Sequence, residues 1–160
     1  MWLRLSKIAL VASIALTCSL VALGNIVDPN LNLAFVQHVL SMDTIPSDHS
    51  IRDRAIINPD LQWLAFILIV LGETLAALLL WLGAIQMLRH VTADGPGFAR
   101  AKASAVVGLS IGFLIWQAGF LGIGGEWFGM WMSKTWNGQE SAFRFAMMVL
   151  GVLIYLVQPD

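Results

Sequence analysis

Charge is scarce in this chain: of its 160 residues only 12% are Asp, Glu, Lys or Arg, while 58% are hydrophobic. An ordinary soluble domain carries roughly a quarter charged residues. A water-soluble fold of this composition would expose far more apolar surface than water tolerates, so lipid is the expected solvent. Cysteine is nearly absent, and the single Cys18 excludes an intrachain disulfide and a cysteine metal cage. The Lys and Arg residues are scattered and the net charge is -1, so there is no basic face to neutralise phosphates and nucleic acid is excluded as a partner. Also missing are a nucleophile and base pair, a glycine-rich phosphate loop before a helix, and a two-His metalloprotease signature. Enzyme classes with strong signatures are thereby disfavoured, and neither cofactor nor metal is expected.

What the chain does have is long apolar runs. A helix needs about 20 mostly apolar residues to cross the hydrocarbon core, and Leu61 to Leu88 and Ala103 to Gly124 meet that plainly. A first run, Ile8 to Leu23, follows Arg4 and Lys7 and so also has the form of a secretory signal. The face formed by Ser13, Thr17 and Gly24 suits helix contacts and favours a retained helix. The fourth run, Ser141 to Val157, is the shortest, with Arg144 in its first turn able to snorkel toward the headgroups. The fold expected is an all-α membrane protein, a four-transmembrane-helix bundle forming one domain over residues 1–160, with spans near 6–24, 61–88, 103–124 and 141–157.

Arg4 and Lys7 precede the first span, Arg89, Arg100 and Lys102 follow the second, and no Lys or Arg lies between Gly24 and His49. The positive-inside rule then places the amino terminus, the carboxyl terminus and the connection 89–102 in the cytoplasm, with loops 25–60 and 125–140 outside. Arg52, Arg54, Lys134 and Arg144 lie on the outer side of that arrangement. The first exterior loop is too long for a simple turn. Asn30 is the expected cap of a short amphipathic helix whose apolar positions are Phe35, Val36, Val39 and Leu40. Pro46 and Pro59 punctuate the remainder.

Glu73 is the most informative residue. It lies about 18 Å along the second span, close to mid-membrane, on the same helix face as Gln62, Phe66, Ile69, Ala76, Ala77 and Ala84. A carboxylate there must pair, protonate or reach water. Its functional reading is a proton or cation site or a hydrogen bond to a bound cofactor; its bland reading is a neutral acid bonded to Gln117 or a Trp indole. On the third span Ser104, Gly108 and Gly112 make a ridge of small residues that lets another helix approach closely, with Ser110 and Gln117 on the opposite side.

The segment Gly124-Gly125-Glu126-Trp127-Phe128-Gly129-Met130-Trp131, followed by Trp136-Asn137-Gly138-Gln139, reads first as an interfacial aromatic belt. Its functional reading is a platform of Glu126, Trp127 and Trp131 for a quinone, a lipid headgroup or a partner subunit. His38, His49 and His90 are the only histidines, and His90 falls at the opposite membrane face, which disfavours bis-imidazole haem ligation. His38 with Asp43, and Met42 beside them, is the one metal arrangement worth naming, and ordinary loop hydrogen bonding is the preferred reading.

The segments Asn25-Ile26-Val27-Asp28-Pro29-Asn30 and Phe35 to Thr44, the two Trp-rich stretches, and Ala142-Phe143-Arg144-Phe145 together resemble a bacterial family of predicted small integral membrane proteins, a domain of unknown function. The resemblance covers nearly the whole chain. It implies membrane location and a four-span plan and brings no catalytic residues. The function expected is a non-catalytic accessory or scaffold subunit, with the lipid bilayer and a membrane-protein partner or homo-oligomer as its partners. The rivals are a small oligomeric transporter or proton-coupled component using Glu73, and a quinone- or lipid-binding anchor.

Overall fold

The computed structural model describes residues 1–48 and 50–160, and of Leu31 the backbone alone; His49 lies outside the described residues. All regular structure among the described residues is helical. Helix α1 runs Trp2–Val27 and α2 runs Pro29–Ser41. A 3₁₀ turn, Ser50–Arg54, leads to α3, Pro59–Arg89. Next come α4, Gly95–Ala101, and α5, Ala103–Leu114, which continues without a break into a π-helical segment, Ile115–Trp127. A short 3₁₀ turn, Met130–Met132, precedes α6, Gln139–Val157. Four rods are long and apolar enough to cross a membrane: α1, α3, the continuous stretch Gly95–Trp127, and α6.

The breaks have local causes. Proline disfavours helical backbone in the residue before it, and Asp28, ahead of Pro29, takes φ -133° and ψ 82° and ends α1. The same Asp28 caps α2, its carboxylate accepting from Asn30 N at 3.3 Å. The cap is therefore Asp28 rather than Asn30, because Pro29 already occupies the first helical position. Asn58 caps α3 in the same manner ahead of Pro59, accepting from Asp60 N at 2.9 Å. Asp94 caps α4, accepting from Gly97 N at 2.9 Å. That cap starts the third rod at Gly95, well ahead of the expected Ala103, so most of the connection 89–102 is itself helical. At the other end the π segment carries the rod to Trp127, into what reads as loop; Phe128 N closes on Ile123 O at 3.0 Å, an i to i-5 bond.

Helix α3 is central, packed against α1 on one side and α5 on the other, while α6 lies against α5 and the π segment. Close approach of α3 and α5 depends on two glycines. A Cβ on Gly83 would stand 2.5 Å from Ala105 N, and one on Gly108 would stand 2.9 Å from Leu80 Cγ and 3.1 Å from Ala76 O. The main core is made of Val11, Ala15, Leu80, Met87, Phe98, Ala105, Leu109 and Leu156 with their neighbours. A second, smaller core of Val39, Met42, Ile45, Phe128 and Met130 caps the bundle at the end away from residues 1 and 160. There α2 packs over α3, and Ile56 N donates to Leu40 O at 2.8 Å, tying the loop down.

Candidate functional site

Glu73 is 4% exposed, and so is Asn25. Helix α1 continues past the expected end of its span to Val27, which puts Asn25 in its last turn; Asn25 Nδ2 donates to Glu73 Oε2 at 2.8 Å. Asn32, on α2 and exposed, donates in turn from Nδ2 to Asn25 Oδ1. Two amides thus connect the buried carboxylate to the surface of the bundle. Among the described residues Glu73 Oε1 has no partner, and Glu73 lines a 140 Å³ cavity with Ser13, Thr17, Cys18, Trp116 and Phe145.

Gln117 is not a neighbour of this carboxylate. The ridge residue Gly108 faces α3, so the opposite side of the rod points outward and Gln117 is exposed there. It lines a separate 470 Å³ recess with Glu126, Gln139, Glu140 and Phe143, between the π segment and α6. Gly125 forms the tight part of that contact, since a Cβ there would collide with Gln139 Nε2. Arg144 donates to Glu140 in an exposed i,i+4 pair. The remaining ridge residues point to two helices: Ser104 Oγ donates to Gln86 Oε1 of α3 at 2.9 Å, and Gly112 faces Val149 of α6. The small face on α1 is no tight contact at Gly24, where a Cβ would meet nothing within 4 Å.

Glu126, Trp127 and Trp131 do not gather around one recess. Trp127 is under the Arg54 guanidinium, 4.4 Å from ring centroid to Cζ, and its carbonyl accepts from Arg54 at 3.1 Å. Trp131 accepts at its carbonyl from Asn137 Nδ2 at 3.4 Å. An apolar cavity of 330 Å³ lies instead between α2, α3 and the π segment, lined by Phe35, Val39, Leu68, Ile115, Phe120 and Met130 among others. His38 Nδ1 and Asp43 Oδ2 are 2.7 Å apart, and the imidazole stacks on Trp136 with ring centroids 4.4 Å apart. Met42 next to them turns inward, 1% exposed. No group of three His, Cys, Asp or Glu side chains comes together among the described residues.

One cluster was not anticipated. At the end that holds residues 1 and 160, Lys7 Nζ and Lys102 Nζ grip the two oxygens of Asp160 at 2.6 and 2.8 Å. Lys7 also donates to Gln158 O at 2.5 Å. Burial alone would push the Asp160 carboxyl up, but the hydrogen bonds and charges of the two lysines outweigh it and hold it below the ordinary aspartate value. Arg4 closes the same end, donating to Val91 O at 3.0 Å and Ala93 O at 2.6 Å across the face of Phe98. Read from sequence, these cations are topology signals. The signal that was available is Lys7 on the helix face of Val11, Ile14 and Cys18, which marks a lysine pointing into the bundle.

No curated protein and no solved structure matches the chain. A family model described as "Predicted small integral membrane protein (DUF2165)" matches residues 3–159. With nearly the whole chain matched and four membrane-length apolar rods present, the chain belongs to that family of integral membrane proteins.

Proposed function

We propose that the chain is a non-catalytic accessory or scaffold subunit of a bacterial inner-membrane assembly, with both termini in the cytoplasm and α2 and the Trp-rich loops outside. The observation that carries this reading is the recess around Gln117. An exposed amide on the wall of a spanning rod leaves its donors and acceptors without partners in hydrocarbon, and a neighbouring helix is the usual source of them. Glu126 adds an acid with no ion pair among the described residues, whereas Glu140 is held by Arg144. The fitting occupant is a partner's transmembrane helix with an amide at the depth of Gln117 and a Lys or Arg at the level of Glu126.

The test is co-purification of a chromosomally tagged protein from native membranes in mild detergent, with mass spectrometry of what is retained. The wild type should retain a stoichiometric membrane partner, and the Gln117→Leu, Glu126→Gln double variant should lose it while remaining folded. A wild type recovered alone, or a variant that keeps its partner, overturns the reading. The second reading, a transporter or proton-coupled component, is favoured by the run Asn32, Asn25, Glu73 from the surface into the span. A homo-oligomer recovered without other proteins would shift the weight to it, and transport unchanged in Glu73→Gln would remove it. A quinone- or lipid-binding anchor has the 330 Å³ apolar cavity in its favour, and a purified sample without extractable quinone or tightly held lipid counts against it.

A further inference from the structure

We propose that the 140 Å³ cavity beside Glu73 is a binding site for a small monovalent ammonium cation. This goes beyond the docking face and does not depend on it. Four helices form the cavity: Ser13, Thr17 and Cys18 come from α1, Glu73 from α3, Gly112 and Trp116 from the third rod, and Phe145 from α6.

Its oxygen chemistry is one-sided. Ser13 Oγ already donates to Leu10 O at 2.7 Å, and Thr17 Oγ to Ser13 O at 3.1 Å. Both hydroxyl hydrogens are therefore engaged with backbone, and what the two oxygens can offer the cavity is lone pairs. Glu73 adds a carboxylate whose Oε2 takes the Asn25 amide and whose Oε1 is unpartnered among the described residues. With Glu73 ionised, every side-chain oxygen of this lining is an acceptor, and its complement is a donor with a positive charge. Trp116 and Phe145, stacked with centroids 4.7 Å apart, supply an aromatic wall of the kind that attracts ammonium groups.

Size and charge narrow the class. A cavity of about 150 Å³ holds benzene, so roughly six heavy atoms fit. Glu73 is the one carboxylate in the lining. A divalent ion asks for more oxygen ligands and usually more than one carboxylate, whereas one carboxylate balances one monovalent charge.

The experiment is calorimetric titration of isobutylammonium chloride into the full chain in phosphatidylcholine nanodiscs, with empty nanodiscs subtracted. Isobutanol, the neutral molecule of nearly the same shape, and sodium chloride are run in parallel. The wild type should bind isobutylammonium saturably at one site, and isobutanol and sodium should not. Glu73→Gln keeps an acceptor for Asn25 while removing the charge, and should weaken binding at least about tenfold, as expected for losing a charged hydrogen bond. Gly112→Val adds side-chain volume at the cavity wall while leaving the Glu73 carboxyl in the chain, and should weaken it as well; it keeps the proposal testable if Glu73→Gln misfolds. Absence of saturable binding by folded wild type overturns the proposal. So does binding retained in both variants, isobutanol binding as tightly, or sodium competing at equal concentration.

Discussion

Asn25 in the last turn of α1 and Glu73 in the middle of α3 are joined by a 2.8 Å hydrogen bond between two side chains that are each almost wholly buried. Together with the bond from Trp81 Nε1 of α3 to Ser19 Oγ of α1 at 3.0 Å, this contact sets how far α1 slides along α3.

Asn25→Leu should therefore destabilise the bundle by about 1–3 kcal/mol, the cost of leaving a buried acceptor without its donor. Glu73→Leu in the same background should recover much of that loss, since replacing both partners by apolar groups removes the uncompensated polar atom. Reversible unfolding in mixed micelles, run as a double-mutant cycle, measures the coupling directly.

The three glycines of the α3, α5 and α6 contacts should rank in a fixed order when changed to Ala. Gly83→Ala forces a Cβ against backbone at 2.5 Å and Gly108→Ala against Leu80 and the Ala76 carbonyl, so each should cost about 1–3 kcal/mol, with Gly83 the worse. At Gly112 the new methyl would meet Val149 Cγ1 at an ordinary 3.8 Å, and the substitution should be neutral or mildly stabilising. Thermal midpoints of the three variants decide the order.

Asp160 gives a pH dependence. Its folded pKa is held below the unfolded value, about 3.9, so its contribution is fully present above that value and is lost as pH falls through the folded one. Asp160→Asn should lower the thermal midpoint at pH 7, where it leaves Lys7 and Lys102 without a carboxylate. The two proteins should converge only once pH has fallen through the folded pKa of Asp160, as the wild type protonates. A difference that stays constant across the range would mean that the carboxylate charge is not what holds this end.

Asn58→Ala should cost about 1 kcal/mol through loss of the cap on α3, whereas Asn58→Asp should be neutral or better because an anion suits a helix N-terminus. Unfolding of both variants in the same detergent separates the cap from any loop effect.

Span number, the helix in the first long loop and the inward face of Glu73 were readable because each rests on composition or local period. Glu73 with Phe66, Ala76, Ala77 and Ala84 is buried as that period implies. The partner of Glu73 was not readable. Asn25 lies just past the apolar run that ends at Leu23 and so looks like loop; Ile26, Val27 and Pro29, which sets the break at Asp28, are what show that α1 reaches far enough to include it. Gln117 was misread for a different reason. Once the glycine ridge faces α3, its opposite side cannot, and the sequence alone does not say which of the two sides α3 occupies. The π-helical continuation to Trp127 has no local signature comparable to a proline or a cap, and the Gly-rich composition there equally fits a loop.

The grip of Lys7 on Asp160 also has a consequence for how the molecule is made. The two residues are 153 apart, and at about 5–20 residues per second the acid emerges about 8–30 s after the base. Through that interval the first helix sits in the membrane with an ammonium group on its core face and no counter-charge. Its counter-charge arrives only with the residues that follow α6. The short tail after α6, made last, is thus what brings the first helix its counter-charge and closes this end of the bundle.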